Sequence, residues 1–388
     1  MKRMILTLLC VTVGMAAGAQ MHRYKTDFTL SAKNFVDTIP IEFDDNQLYV
    51  RVRVGGVERR FAIDTGSSQG ILYRGGSVDY GRVLGNVVSH DANARRDTIK
   101  AVTFPTFIIG RLTIRGYTGS LLRKPVRQHC DGVIGFDLFN KGLQAKIDVR
   151  NLHMILTDRP RFFDNEDGFP MTYRLLRFVP NIKLSPYAGC MDEARFDTGS
   201  RRLYEMSRRS LQVFENRFPD MASQVEGRAH GSRAIGSFGA EHAADVAFLW
   251  LDQVTMGGFS FCDLHTMTTQ GNSRVGAELL RYGTVTIRPQ RREIVFQPYN
   301  GGDMVMVSNK QMDIAFVPRD GRATVGLIFE GSEHFRNGFR QGDVILSIDG
   351  HAVNTFRDFL AYPFIEGRQH HFLVRSALGN IREIKSIR

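Results

Sequence analysis

The tetrapeptide Asp-Thr-Gly-Ser occurs twice in this chain of 388 residues, at positions 64–67 and 197–200. Apolar residues stand one and three places before each Asp: Ile63 and Phe61 in the first copy, and Phe196 and Ala194 in the second. This alternation is typical of a β-strand with one buried face, so each Asp is predicted to lie in a loop just past a strand end. The repeat constrains the chain to fold as two related halves.

Other landmarks recur in the same order. Residues 109–114 resemble residues 256–261, a glycine turn followed by an alternating strand, and residues 133–138 resemble residues 274–279. All four residue types of the tetrapeptide are common in turns. A single copy is therefore explained as well by an ordinary turn as by a functional loop. The shared order of the later landmarks favours an internal duplication over the first three hundred residues.

The local patterns are mostly those of strands. Alternating residues 48–54 and 57–63 flank Gly55-Gly56, which predicts a β-hairpin with a two-residue glycine turn. Short helices are predicted at 138–143, 279–282 and 203–214. The fold class is therefore mainly β, with one lobe over residues 20–165 and a similar lobe over residues 166–300.

The repeated Asp residues suggest a catalytic pair. One carboxylate acting as base and one carboxylic acid acting as donor can activate water against a peptide carbonyl without a metal or a covalent nucleophile. If the lobes pack about a pseudo-twofold axis, Asp64 and Asp197 meet across it. Two carboxyl groups that meet in this way are too close for both to be ionised, so they are expected to share one proton.

The neighbours of each Asp have matching uses. Glycine allows the backbone to turn tightly beside a carboxylate, where a Cβ would obstruct it. The threonines can interlock across the two lobes. Each serine hydroxyl is expected to donate to a carboxylate and lower its pKa, which predicts a pH optimum below neutrality. The residues concerned are Gly66, Gly199, Thr65, Thr198, Ser67 and Ser200.

Residues 30–300 resemble the retropepsin and pepsin clan of aspartic proteases in a single-chain, two-lobe version. The clan signature is apolar-apolar-Asp-Thr/Ser-Gly, completed by a later apolar-apolar-Gly that passes behind the active loop. Val133-Ile134-Gly135 matches this second element, whereas Arg274 precedes Val275-Gly276 in the second lobe and departs from it.

The resemblance implies two β-barrel lobes, a catalytic dyad of Asp64 and Asp197, and no cofactor or metal. It also implies a set of supporting residues: Thr65, Gly66, Ser67, Thr198, Gly199, Ser200, Ile134, Gly135, Val275 and Gly276. Clan members close a β-hairpin flap over the substrate. The candidate stretches are residues 83–102 and the glycine-rich residues 227–244, for which a disordered surface loop is the alternative.

Residues 331–350 resemble the bacterial PDZ pattern of Gly-Ser, a short helix, Gly-Leu, Gly-Asp, apolar-Ile and Asn-Gly. Here Phe339 replaces the Leu and Asp349 replaces the Asn. The resemblance implies a small α+β PDZ domain over residues 303–388, which binds a peptide ligand as an added strand, with its carboxylate-binding loop near residues 309–314. The alternative is a module that docks on the lobes as a brace.

The first nineteen residues have the pattern of a secretory signal peptide. Lys2 and Arg3 precede an apolar run over residues 4–15, and Ala17-Gly18-Ala19 supplies small residues for cleavage. The run is shorter than the roughly 20 apolar residues that span a bilayer, so no stable membrane anchor is expected. The pattern predicts an exported protein, periplasmic or extracellular.

Cysteine spacing and charge exclude several classes of function. Cys130, Cys190 and Cys262 form an odd set without C-x-x-C spacing, which indicates neither a disulfide framework nor a zinc site. The net charge is +11, but the arginine pairs are spread along the chain without a nucleic-acid-binding motif. A solvated basic surface and no nucleic-acid partner are expected.

These observations predict a monomeric aspartic endopeptidase that cleaves exported or envelope proteins, with the PDZ module binding peptide or regulating access. The alternative is a catalytically silent scaffold that binds peptides through that module. Arg195 and Arg274 favour this alternative, because a nearby cation can hold both carboxylates ionised. A homodimer in which each chain supplies one Asp is unnecessary, since one chain carries both motifs.

Overall fold

The computed structural model describes residues 27–75, 78–91, 95–125, 128–236, 238–365 and 367–387. The predicted signal peptide lies outside these residues. The described chain is built mostly from strands, so the prediction of a mainly β fold is confirmed. In these same segments no helix is long and apolar enough to cross a membrane, and Cys130, Cys190 and Cys262 are unbridged.

The elements of the first repeat are β1 (Thr29–Leu30), β2 (Val36–Asp44), β3 (Gln47–Val54), β4 (Val57–Ile63), β5 (Gly70–Arg74), β6 (Val83–His90), β7 (Arg96–Thr103), β8 (Phe107–Ile109), β9 (Leu112–Arg115), β10 (Thr118–Arg123), β11 (Gly132–Ile134), α1 (Asp137–Asn140), β12 (Gln144–Asp148) and β13 (His153–Thr157).

The elements of the second repeat are β14 (Phe169–Leu176), β15 (Val179–Leu184), β16 (Asp192–Asp197), β17 (Tyr204–Glu205), α2 (Arg208–Arg217), a 3-10 helix (Pro219–Gln224), β18 (Val225–Gly231), β19 (Ile235–Gly236), β20 (Gly239–Ala240), β21 (Ala244–Met256), β22 (Phe259–Met267), β23 (Arg274–Gly276), a 3-10 helix (Ala277–Arg281), β24 (Gly283–Arg288) and β25 (Glu293–Pro298).

The C-terminal segment, residues 303–387, contains β26 (Met304–Met306), β27 (Ile314–Arg319), β28 (Arg322–Ile328), α3 (Glu333–Arg336), β29 (Val344–Ile348), β30 (His351–Ala352), α4 (Phe356–Ala361), β31 (Gln369–Arg375) and β32 (Ile381–Ile387). Strand β26 pairs with β22 of the second repeat. The later strands form their own sheet in the order β27-β28-β29-β31-β32. Helix α4 covers that sheet, with the ring of Phe359 centred 4.7 Å from that of Phe316.

A single sheet joins the two repeats. Its order is β2-β13-β12-β24-β25-β14, with β12 and β24 antiparallel at the centre and Lys146 opposite Thr286. The neighbours Ile147 and Val285 are fully buried, as the alternation of apolar residues in both strands requires. Each strand on one side of the centre corresponds to a strand on the other.

Each Asp motif follows a strand in the same setting. Strand β4 runs parallel to β11, with Ile63 opposite Ile134. Strand β16 runs parallel to β23, with Phe196 opposite Val275. Both Asp residues therefore lie at a strand end beside the glycine of the later landmark.

Both candidate flap stretches contain hairpins. In the first, β6 pairs with β7, and a bulge lies between Val83 and Gly85, where Gly85 has φ 147°. In the second, β19 pairs with β20 between the longer strands β18 and β21. The disordered-loop alternative for residues 227–244 is therefore wrong for the part of that stretch that is described.

The helix predicted at 203–214 begins later and ends later, at Arg208–Arg217. Tyr204 and Glu205 instead form β17, which pairs with β23, and Ser207 caps the helix by accepting a hydrogen bond from the Ser210 N–H at 2.9 Å. Tertiary pairing thus overrides the apolar pattern at the start of this segment. The other two predicted helices occur as α1 and as the 3-10 turn Ala277–Arg281.

Candidate active site

The two Asp residues of the repeated motif face each other across the junction of the repeats. Their carboxyl groups lie close enough for Asp197 to raise the pKa of Asp64, both through its charge and through a side-chain hydrogen bond. The N–H groups of Gly66 and Ser67 donate to Oδ1 of Asp64 at 2.9 and 3.1 Å, and the N–H of Gly199 donates to Oδ1 of Asp197 at 3.1 Å. The backbone therefore fixes the inner oxygen of each carboxyl group.

The electrostatics of the pair favour one proton on Asp64. Burial of this carboxyl, and then the negative charge of Asp197 and the hydrogen bond between the two, raise the pKa of Asp64 to about 8. Donation from the Gly66 N–H and the charge of Arg195 act in the opposite direction and are weaker. Two carboxyls so close cannot both ionise readily, which is the physical basis of a shared proton.

The threonines of the two motifs interlock. The Thr65 hydroxyl donates to the Phe196 carbonyl at 2.8 Å and accepts from the Thr198 N–H at 3.0 Å. The Thr198 hydroxyl donates to the Ile63 carbonyl at 2.7 Å and accepts from the Thr65 N–H at 3.0 Å. Both side chains are buried. Four hydrogen bonds thus fix the two loops, and with them the two carboxyls, relative to one another.

The motif glycines lie against the opposite carboxyl group. A Cβ on Gly66 would stand 2.2 Å from Cγ of Asp197, and a Cβ on Gly199 would stand 2.5 Å from Cγ of Asp64. Either contact is far inside van der Waals distance. Only glycine permits the observed approach of the two loops.

The later apolar-Gly elements pass behind the active loops and hold them. The N–H following Gly135 donates to the Ser67 carbonyl at 2.8 Å, and the N–H following Gly276 donates to the Ser200 carbonyl at 2.8 Å. The Ile134 carbonyl accepts from the Asp64 N–H at 3.0 Å. Side chains would not fit here, since a Cβ on Gly135 would be 2.6 Å from Gln69 backbone atoms and one on Gly276 would be 2.3 Å from the Arg202 carbonyl. Ile134 and Val275 are fully buried.

The expected role of the serine hydroxyls is wrong. The Ser67 hydroxyl donates to the Gln69 carbonyl at 2.7 Å, and the Ser200 hydroxyl donates to Oε2 of Glu205 at 3.2 Å. Backbone N–H groups already occupy the inner carboxylate oxygens, so the hydroxyls satisfy groups farther along each loop. These serines therefore give no reason to expect an acidic pH optimum.

A buried ionic cluster lies behind the second loop. Glu205 contacts Arg274 at 2.9 Å, Arg233 at 2.5 Å and Arg202 at 3.8 Å. Burial alone would raise the pKa of Glu205, but the charges of Arg274, Arg233 and Arg202 together lower it well below its ordinary value. Arg274 is therefore paired with a carboxylate other than those of the dyad, which it shares with Arg233 and Arg202. Within the described residues no hydrogen bond joins its guanidinium to Asp64 or Asp197.

Two features of this site were not predicted from the sequence. Glu205 follows the second motif closely, but its partners Arg233 and Arg274 are distant in the chain, so only the fold reveals them. The other is Tyr117, whose hydroxyl donates to Asp137 at 2.6 Å and accepts from the Gly135 N–H at 3.1 Å. Asp137 lies in the landmark of residues 133–138, which is repeated at residues 274–279. That repetition is the sequence feature from which a role for Asp137 could have been predicted.

Known proteins add little to this picture. No protein family and no curated protein matches the sequence. The structure is similar to that of basic 7S globulin from soybean, with a TM-score of 0.39 and 11% identity over 68% of this chain and 94% of that chain. It is also similar to an aspartic proteinase from Irpex lacteus, with a TM-score of 0.44 and 11% identity over 71% of this chain and 100% of that chain. At such similarity, function must be argued from the site itself.

Proposed function

We propose that this protein is an aspartic endopeptidase in which Asp64 and Asp197 activate a water molecule against a peptide bond. The observation that carries the proposal is the close approach of the two loops, in which the glycine of each motif lies against the opposite carboxyl. In each carboxyl group, Oδ1 also accepts at least one backbone N–H hydrogen bond. Two carboxyl groups buried side by side repel each other when both are ionised, and this repulsion costs stability. A pair arranged in this way is the expected result of selection for acid–base chemistry.

The two carboxyls share one proton, and because the pKa of Asp64 is raised to about 8 we propose that Asp64 is the member that donates it. The carboxylate of Asp197 accepts a proton from the water as the water oxygen bonds to the carbonyl carbon. Asp64 gives its proton to the carbonyl oxygen, which yields a neutral tetrahedral gem-diol. Collapse then returns a hydroxyl proton to the dyad, protonates the amide nitrogen and breaks the C–N bond, leaving a carboxylic acid and an amine.

The silent-scaffold alternative loses its main support. It depended on a cation that would keep both carboxylates ionised, and Arg274 is paired with Glu205 at 2.9 Å. Arg195 lowers the pKa of Asp64, but its effect is outweighed by burial and by Asp197. The dyad therefore retains the proton that hydrolysis requires.

The remaining parts of the proposal rest on the sequence. We infer a monomer that is exported to the periplasm or beyond and acts on exported or envelope proteins. Peptide binding by a PDZ-like C-terminal segment stays a prediction. In the region expected to bind a free carboxylate, residues 309–314, Asn309 instead forms two hydrogen bonds with the backbone of His265, at 2.8 and 2.9 Å. This contact favours the brace as the role of the segment.

The test is digestion of a mixed peptide library from pH 3 to pH 8, with product termini identified by mass spectrometry. The chain lacking residues 1–19 should cut peptides internally, and a pepstatin-type inhibitor should stop it. Asp64→Asn should abolish every cut, whereas Ser67→Ala should keep them, because the Ser67 hydroxyl does not reach the dyad. Cuts that persist in Asp64→Asn would remove the proposed mechanism.

A further inference from the structure

Two matching rows of side chains flank the dyad, one in each repeat. In the first repeat, residues paired across β3, β4, β11 and β5 form the row Tyr49, Ala62, Val133 and Ile71. In the second repeat, residues paired across β15, β16, β23 and β17 form the row Asn181, Arg195, Arg274 and Glu205. Residues directly opposite each other in neighbouring strands project from the same face of a sheet. The four side chains of each row therefore share one face.

Both rows project away from the main apolar core. Successive residues of a strand point to opposite faces of the sheet. The strand neighbours of Ala62 and Arg195 belong to that core, and they are Phe61, Ile63, Ala194 and Phe196. Ala62 and Arg195 also occupy the same position, two residues before the Asp of each motif. The rows are thus equivalent faces of the two repeats.

The dyad lies between these two faces. On the first side, Tyr73 packs with Ala62, and the charge of Asp64 adds to burial and to Cys130 in raising the pKa of Tyr73. On the second side, the charge of Arg195 acts to lower the pKa of Asp64, against the larger effect of burial. A peptide whose scissile bond is held at the dyad therefore passes the second row with the residues on one side of that bond.

The two rows differ in chemical character. The first is uncharged and packs as an apolar cluster, whereas the second carries two arginines and one glutamate. Asn181, Arg274 and Glu205 are buried. Glu205 contacts Arg274 at 2.9 Å, and the Arg274 guanidinium also donates to the Thr269 hydroxyl at 2.7 Å. The charge of Arg274 is therefore satisfied within the protein.

The charge of Arg195 is not satisfied in this way. Arg195 is partly exposed, and its Nε is buried without a hydrogen-bond partner. Within the segments that the structure describes, its guanidinium forms no hydrogen bond and no ion pair. The dyad does not consume this charge, because the pKa of Asp64 stays raised to about 8 beside it. A partly buried cation is costly unless an anion meets it, so the position is suited to an anionic group brought by a substrate.

We propose that Arg195 is a specificity-determining residue that binds a Glu or Asp side chain of the substrate next to the scissile bond, on the side that passes the second repeat. A guanidinium presents a planar pair of N–H donors that matches a carboxylate, and such charge-assisted pairs are stronger than neutral hydrogen bonds. Ala62, the equivalent residue of the first repeat, carries no charge, so only one side of the scissile bond should show the preference. This inference rests on the proposed protease function and adds a substrate class to it.

The experiment measures kcat/KM on peptides that differ only by Glu, Gln, Ala or Lys at each of the two residues that flank the cut. At pH 6, where a substrate Glu is ionised, the wild type should prefer Glu to Gln about tenfold at one of the two positions. The preference should fade below about pH 4 as that Glu becomes protonated. Arg195→Met should remove the preference, and Arg195→Glu should replace it by a preference for Lys.

The matched control is Arg59→Met. Arg59 is a partly exposed arginine of β4, and its Nε is likewise buried without a hydrogen-bond partner. It stands five residues before Asp64, which is about 17 Å along the strand. This variant should keep the ratio of Glu to Gln cleavage found in the wild type, and circular dichroism checks that every variant is folded.

A second readout does not need cleavage. In the Asp64→Asn background, a fluorescently labelled Glu peptide should bind about tenfold more tightly than its Gln counterpart, and adding Arg195→Met should remove the difference. Such binding in a protein that never cleaves would keep the subsite and remove the protease function.

Two results would overturn the subsite. One is a wild type that does not distinguish Glu from Gln at either position, or a preference for Glu that persists in Arg195→Met. The other is an Arg195→Met variant that only moves the upper limb of the pH–rate profile to higher pH, equally for all peptides. Loss of a nearby cation raises the pKa of a carboxyl group, so this shift alone would mean that Arg195 acts on the dyad and does not contact the substrate.

Discussion

The interlocked threonines offer a quantitative test of how the two repeats are held together. Thr65→Val replaces the hydroxyl by a methyl group of similar volume in a fully buried position. It leaves the Phe196 carbonyl and the Thr198 N–H without their partners, which stand at 2.8 and 3.0 Å in the wild type. Each unsatisfied buried group costs about 1–3 kcal/mol. We expect the free energy of unfolding to fall by about 3 kcal/mol.

The control is Thr65→Ser, which keeps both hydrogen bonds and deletes one buried methyl group, at a cost of about 1 kcal/mol. Urea denaturation followed by far-UV circular dichroism measures both variants. The pseudo-symmetry supplies a second check, because Thr198→Val removes an equivalent pair of bonds to Ile63 and Thr65 and should cost the same. If Thr65→Val were as stable as Thr65→Ser, the hydroxyl network would not be what joins the loops.

Three further predictions follow from the same site. Gly66→Ala should abolish cleavage while the chain still folds, because the new Cβ would stand 2.2 Å from Cγ of Asp197; circular dichroism and a peptide assay separate the two effects. Ser67→Ala should change kcat/KM by less than about threefold, since its hydroxyl bonds to Gln69, and a loss of 100-fold would contradict this. The folded state binds the Asp64 proton more tightly than the unfolded state, so its stabilising effect is complete below pH 4 and is lost as the pH rises toward about 8. The melting temperature of Asp64→Asn should therefore exceed that of the wild type by an amount that grows between pH 4 and pH 8; a constant difference would show that the pKa of Asp64 is not raised.

The sequence was most informative where local pattern and tertiary role coincide. Alternating apolar residues predicted the hairpin of β3 and β4, and the structure pairs Val54 with Val57 across its glycine turn. The repetition of the tetrapeptide identified the two loops that meet. The hairpin and the placement of the two loops are both strongly determined, because a strand with one buried face permits a single register.

It was least informative about hydrogen-bond partners. The direction of a serine hydroxyl depends on which acceptors the fold leaves free, and no pattern in the chain shows that Ser200 meets Glu205. Likewise, the sequence suggested that Arg274 would keep both carboxylates of the dyad ionised. In the structure its partner is Glu205 instead. The early part of residues 203–214 has helical spacing, but pairing with β23 makes it a strand. In each case a contact distant in sequence decides the outcome.

The most direct test of the central claim is a double-mutant cycle on the dyad. kcat/KM is measured for the wild type, Asp64→Asn, Asp197→Asn and the double variant on one peptide taken from the library. Groups that act as one unit are strongly non-additive. Each single variant should lose at least about 1000-fold, and the double variant should lose no more than either. Full activity in one single variant, or losses that multiply in the double variant, would contradict a shared-proton mechanism.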